Sequence, residues 1–165
     1  MRIYPIRLFP DPVLRKKAAS ADWNARQTQD FIKNLVTTLS AQPSGVGIAA
    51  PQVGVSERVI IVDVSSKDPA KTLEIMMNPK ILRLEGEILS REGCMSLPDY
   101  TANVKRATRV QIEWVDKDGH LRRKTTEGIE AICLQHEIDH LNGLLFIDRV
   151  ASLKTEVFVR KKRAR

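Results

Sequence analysis

The chain is short of cysteine and has no long apolar run. Its two cysteines, Cys94 and Cys133, are too few for a disulfide framework in 165 residues. This points to a reducing compartment and leaves any special cysteine a chemical rather than a structural role. No segment approaches the roughly 18 apolar residues of a membrane span. The stretch from Met1 to Val13, broken by Pro5, Pro10 and Pro12, lacks the apolar centre of a signal peptide. A soluble, cytoplasmic protein with no membrane partner is expected. Internal repeats and low-complexity linkers are also missing. A single domain over residues 1–165 is therefore expected, and 42% hydrophobic residues are enough for one core.

Acidic residues are outnumbered, giving a formal charge of +7, but five of the basic residues, Arg160, Lys161, Lys162, Arg163 and Arg165, fall in the last six positions, and without them the charge is +2. The argument for an anionic partner therefore concerns a basic C-terminal tail, at about residues 152–165, and no DNA-binding surface is expected on the body.

The sequence does contain clear helical and strand periodicities. Phe31, Ile32, Leu35, Val36 and Leu39 recur at helical spacing before Pro43-Ser44-Gly45, predicting an amphipathic helix over about 24–41. Strand signals follow as far as residue 126. Arg58 to Val64 is rich in Val and Ile, and Val110, Ile112 and Trp114 alternate with polar neighbours. Asp116-Lys117-Asp118-Gly119 supplies a hairpin turn. A second helix is predicted over about 127–141, with Thr125 or Thr126 as cap, Glu127 and Glu130 in its first turn, and Asn142-Gly143 as its stop. Its apolar residues Ile129, Ile132, Leu134, Ile138 and Leu141 do not fit one stripe, so most of its circumference should be buried, with sheets around it. Leu144 to Ile147 reads as one more short strand. The expected class is α+β, with antiparallel sheets wrapped around a central helix and a further helix in the N-terminal half.

The chemistry lies in that second helix, in His136-Glu137-Ile138-Asp139-His140. Residues four apart share a face about 6 Å apart along the axis, so two imidazoles can converge on one ion with Glu137 beside it. This is the HExxH pattern, in which two histidines bind metal and the glutamate moves protons to and from water. A buried Glu and two buried His also need partners to offset desolvation. Catalytic centres of this kind usually take a third protein ligand, and the candidates are Cys133, Cys94, His120 and several carboxylates. Cys133 is about 10 Å along the helix from His140 and better suited to packing. His120 falls in the hairpin turn, where a solvated histidine is expected. Cys94 remains, in loop-like sequence.

Three segments in order, Gly45-Val46-Gly47-Ile48-Ala49-Ala50-Pro51-Gln52, Glu92-Gly93-Cys94-Met95-Ser96 and Gln135-His136-Glu137-Ile138-Asp139-His140, resemble the three motifs of the peptide deformylases. These enzymes remove the formyl group from the N-terminal methionine of new bacterial and organellar proteins. The resemblance covers nearly the whole chain. It implies Cys94, His136 and His140 as ligands of one divalent metal, Fe(II) in the cell, with Zn, Ni or Co possible in purified protein. Glu137 would be the general acid and base, and Gln52 with the Met95 backbone N–H the oxyanion donors. Formate and a peptide with a free N-terminal methionine would be released. The substrate, an N-formylmethionyl nascent peptide, would pair in strand fashion with Gly47 and Ile48. Gly45, Val46 and Glu92 would also border it, and Ile129, Ile132 and Cys133 would line the methionine pocket. Deformylases act near the ribosomal exit, so the basic tail would have the ribosome as partner.

Ile48 and Met95 stand where leucine is common, and Thr101 where some relatives carry an arginine near the cleft. The absence of a long insertion near the first motif and the short stretch after Asp148 favour the compact bacterial-type class. The competing reading is a metallopeptidase of the general HExxH kind, whose third ligand would be a downstream His or Glu rather than Cys94.

Overall fold

The structure, a computed structural model, describes residues 2–160. Its elements are α1 (Arg26–Ser40), β1 (Gly47–Ala49), β2 (Val59–Val62), β3 (Glu74–Glu85), β4 (Ile88–Cys94), β5 (Leu97–Arg106), β6 (Arg109–Val115), β7 (Leu121–Glu127), α2 (Gly128–Leu141), the single turn α3 (Leu153–Glu156) and β8 (Val157–Val159). The strands form two antiparallel sheets. One runs β1-β2-β3-β6-β7 and the other β4-β5-β8. The α+β class and the buried central helix are as the sequence predicts.

The run Val59-Ile60-Ile61-Val62 explains how the two long helices are held. All four residues are buried. Because side chains alternate across a strand, Ile60 and Val62 join Ala131, Leu134, Ile138 and Leu141 of α2, while Val59 and Ile61 join Phe31, Ile32, Leu35 and Leu39 of α1. A strand apolar on both faces is thus covered by a helix on each side. The adjacent strand β1 divides likewise, with Ile48 in the α1 cluster and Ala49 in the α2 cluster. A third cluster, including Leu14, Leu97, Val104, Leu145 and Phe146, backs the three-stranded sheet and contains Cys94.

Strand β7 runs into α2 without a loop, and Gly128, at φ 66°, makes the change of direction, a conformation that favours glycine. The predicted cap is not used. Glu127 is the N-cap residue and makes no side-chain capping bond, while the Thr126 hydroxyl donates to the Glu130 carboxylate. The Asp116–Gly119 turn joins β6 to β7 as predicted, with Gly119 at φ 85°.

One local expectation is corrected. Leu144 to Ile147 is not a strand. Phe146–Arg149 is a 3-10 helix, started by the Asp148 carboxylate, which accepts the Leu145 backbone N–H at 2.7 Å, and Phe146 is buried in the third cluster. The C-terminal part also contributes to the sheets. Val157–Val159 completes the three-stranded sheet on β5, with Thr101 opposite Phe158. The basic residues Lys161, Lys162, Arg163 and Arg165 lie outside the described residues.

Candidate metal centre

Helical periodicity places Ile129, Ile132, Cys133, His136, Glu137 and His140 along one face of α2. Cys94 comes to that face from the end of β4, next to the two-residue turn Met95-Ser96 that leads into β5. It is therefore held by a strand and a tight hairpin, where the sequence reads as loop. The ligand atoms of Cys94, His136 and His140 all lie within 4.8 Å of one another, and Cys94 Sγ is 3.2 Å from His140 Nε2. A second acidic and histidine grouping, Asp116, Asp118 and His120, sits in the β6–β7 turn. There His120 is 67% exposed, as a solvated turn histidine should be.

The orientation of His136 is fixed from behind. Glu92 Oε2 lies 2.9 Å from His136 Nδ1, which leaves Nε2 of that ring facing the centre. The ring also stacks on Phe146, centroids 6.3 Å apart. Glu92 is in turn held by Arg106, whose Nε and Nη2 donate to its two oxygens at 2.6 and 2.9 Å. Arg106 Nη1 donates to Asp139 at 2.7 Å, and Asp139 accepts two further bonds from Arg149. Arg106, Glu92 and Asp139 are all buried. A buried guanidinium is tolerated because two carboxylates compensate it. Glu92, expected beside the substrate, has both oxygens committed to this network.

The electrostatics follow from the packing. Burial alone would raise the Cys94 thiol, but the His140 and His136 imidazoles outweigh it and hold the group well below its ordinary value. Burial would lower His136, yet Cys94 and Glu92 push it well above normal. The centre therefore attracts positive charge. Burial would raise Glu92 too, but Arg106 and His136 bring it down to about 2. Glu137, by contrast, is raised to about 7, first by burial, against the pull of His136 and His140. Its Oε2 is buried without a hydrogen-bond partner among the described residues, as is His140 Nδ1.

One thiolate and two imidazole nitrogens, clustered and oriented in this way, fit a single tetrahedral metal ion with its fourth position open. Glu137, whose Oε2 is unpartnered among the described residues, follows His136 directly in α2.

Gln52 sits on the opposite wall, in the 3-10 helix Ala50–Val53. Its Oε1 accepts the Ala49 N–H at 2.9 Å, which fixes the amide so that Nε2 faces Cys94 Sγ at 3.4 Å and Ser96 Oγ at 3.3 Å. Met95 packs against the α1 cluster. Val46 O accepts from the Asp63 backbone and from the Cys133 thiol. Ile48 is fully buried, its side chain in the α1 cluster. Gly47 is required for a reason its sequence did not disclose: a Cβ there would stand 2.6 Å from Glu137 Oε1 and 2.7 Å from Cys133 Sγ. Gly45 is similarly tight against Leu39 and Gln42. Cys133 is buried, and its thiol is raised by burial and then by the neighbouring carboxylates, Glu137 foremost. It is therefore a neutral wall group. Ile132 is half-buried, and Ile129 is 38% exposed at the helix start.

The sequence reading omitted Arg106, Asp139 and Arg149. Asp139 carried the one usable signal, since an acid inside a buried helix needs a cationic partner. Nothing in the β5 sequence singled out Arg106.

Fold and site together define a class, the single-metal hydrolases with an HExxH helix, here with a cysteine from a neighbouring sheet beside the two histidines. The sequence matches the polypeptide deformylase family over residues 3–156, and the chain belongs to that family. It is 44% identical to the peptide deformylase of Thermodesulfovibrio yellowstonii over 161 residues, covering 98% of this chain and 97% of that one. Among solved structures, it is similar to a peptide deformylase from Legionella pneumophila, with a TM-score of 0.84, 39% identity and coverage of 92% of this chain and 88% of the other. It is also similar to one from Synechococcus elongatus in complex with actinonin, with a TM-score of 0.84, 32% identity and coverage of 92% and 80%. The family is one of metalloenzyme hydrolases. Among the described residues, no helix is long and apolar enough to cross a membrane.

Proposed function

We infer that the protein hydrolyses the formyl group from the N-terminal formyl-methionine of newly synthesised polypeptides. The observation that carries this reading is the approach of Cys94 from β4 to the two histidines of α2, with the Gln52 amide against its sulfur. A metallopeptidase that drew its third ligand from a downstream His or Glu would not need Cys94 there.

Cys94, His136 and His140 would hold the metal, and the ion would supply Lewis-acid polarisation of the formyl carbonyl and of water. Glu137, kept near neutrality by burial, accepts the proton of the attacking water and passes it to the leaving amine, as a general acid and base with a value close to ambient pH should. Gln52 Nε2, pointed inward because its oxygen is occupied, and the Met95 N–H donate to the oxyanion. Gly45 to Ile48 present backbone to the peptide, and Ile129, Ile132 and Cys133 continue the helix face as the wall for the methionine side chain.

Protein reconstituted anaerobically with Fe(II) or with Ni(II) is expected to release formate from formyl-Met peptides and to leave unformylated peptides intact. No formate from fully metallated protein overturns the reading. The thiolate and imidazole set suits Fe(II), Zn, Ni or Co; we propose Fe(II) as the cellular metal on the family resemblance, which metal analysis of anaerobically purified protein tests. The basic residues after Arg160 are proposed to meet ribosomal RNA. Deleting residues 161–165 should weaken salt-sensitive ribosome binding.

A further inference from the structure

Strands β1 and β4 are each the end strand of their sheet, and both border the metal centre, β1 through Gly47 against Glu137 and β4 through Cys94. An extended peptide leaving the centre between them adds a strand to a free edge. Along β4, Glu92 and Cys94 are buried and face the centre, whereas Arg91 and Gly93 are exposed on the other face.

The outer face at Gly93 is covered by a residue from the far end of the chain. Strand β8 is anchored to β5, the Arg160 N–H donates to Asp99 O at 2.8 Å, and the Arg160 guanidinium lies so close over Gly93 that a Cβ there would collide with it. The space exists because Gly93 has no side chain and Thr101, its partner across the ladder, has a short one. Arg91 holds the end of the chain down from the same face, its Cζ 3.7 Å from the centre of the Phe158 ring. Among the described residues, neither Arg91 nor Arg160 pairs with a carboxylate. An uncompensated positive charge is thus built onto the rim one residue before Cys94.

We propose that Arg160 is a specificity residue that selects acidic side chains at the second position of the substrate. This rests on the deformylase reading above. With the methionine side chain directed inward along α2, strand alternation turns the second side chain to the opposite face. A cross-strand neighbour at Gly93 then lies within reach of the guanidinium. A carboxylate there is attracted, and a lysine is repelled.

The test compares formyl-Met-Glu-Ser-amide with formyl-Met-Lys-Ser-amide on metallated full-length protein. The wild type is expected to favour the Glu peptide in kcat/KM by about fivefold, mainly through KM, as befits an exposed charge pair. Arg160→Ala should bring the ratio close to one, Arg160→Lys should keep part of it, and Arg160→Glu should reverse it. A wild-type enzyme indifferent to the two peptides, or an unchanged ratio in Arg160→Ala, overturns the proposal. Failure of the wild type to release formate from either peptide would instead overturn the deformylase reading.

Discussion

The Glu92 carboxylate faces His136 Nδ1 at 2.9 Å while receiving two bonds from Arg106, so one buried acid both fixes the imidazole and anchors it to the second sheet. Supporting groups of this kind set the tautomer and basicity of a metal-binding histidine. Replacing Glu92 with Gln keeps the shape but removes the charge. Metal affinity should fall about 10- to 100-fold, read by competition with a chromogenic chelator. Unchanged affinity would mean that the ring is held by Phe146 alone.

Glu137 has a different task, and its substitution should separate binding from turnover. It lies beside the ligand cluster but is not part of it. In Glu137→Gln, metal content should match the wild type while formate release drops by at least about a hundredfold. A variant that turns over normally would remove Glu137 from the mechanism.

Gly47 should behave as a remote control of the same glutamate. A methyl group placed there meets Glu137 Oε1 and Cys133 Sγ, and either those side chains or the elements that carry them must shift. Gly47→Ala is expected to cost about 1–3 kcal/mol in urea unfolding and to lose activity while retaining the metal. Full activity would show that β1 can back away from α2.

Acid stability should depend on Glu130 at the start of α2. Burial would raise this carboxyl, but Lys124 at 2.7 Å, the Thr126 hydroxyl and Lys71 at 3.0 Å outweigh it and lower it from its ordinary 4.5. The depressed value means that the unfolded chain takes up the proton first. The stabilisation is therefore complete above 4.5 and is lost as pH falls below it, through the folded-state value. Urea midpoints measured from about pH 6 down to about pH 3 should fall more shallowly for Glu130→Gln than for the wild type. Parallel curves would place the acid sensitivity elsewhere.

The parts of the molecule legible in its sequence are those specified by local pattern. Phe31, Ile32, Leu35 and Leu39 mark α1, the Asp116 to Gly119 turn chemistry marks its hairpin, and the HExxH spacing marks the candidate ligands on α2. The short apolar run Leu144 to Ile147 misled because such a run suits a strand or a tight helix equally, and the Asp148 bond to Leu145 N decides it. The strand Val157–Val159 exists because β5 offers an edge, and no local signal announces that. The chain Arg149–Asp139–Arg106–Glu92 joins four separated segments and could be inferred only as a need for partners, not as a set of names.

Cys94 hangs from the three-stranded sheet, while His136 and His140 ride on a helix seated against the five-stranded one. An ion held by all three would fasten the two sheets together across 46 positions of sequence, a removable cross-link that would restrict the unfolded chain much as a disulfide of that span does. Stripping it with a chelator should lower the melting temperature, and restoring it should raise the temperature again. The heat tolerance of a preparation then becomes a gauge of its loading, legible before any substrate is added.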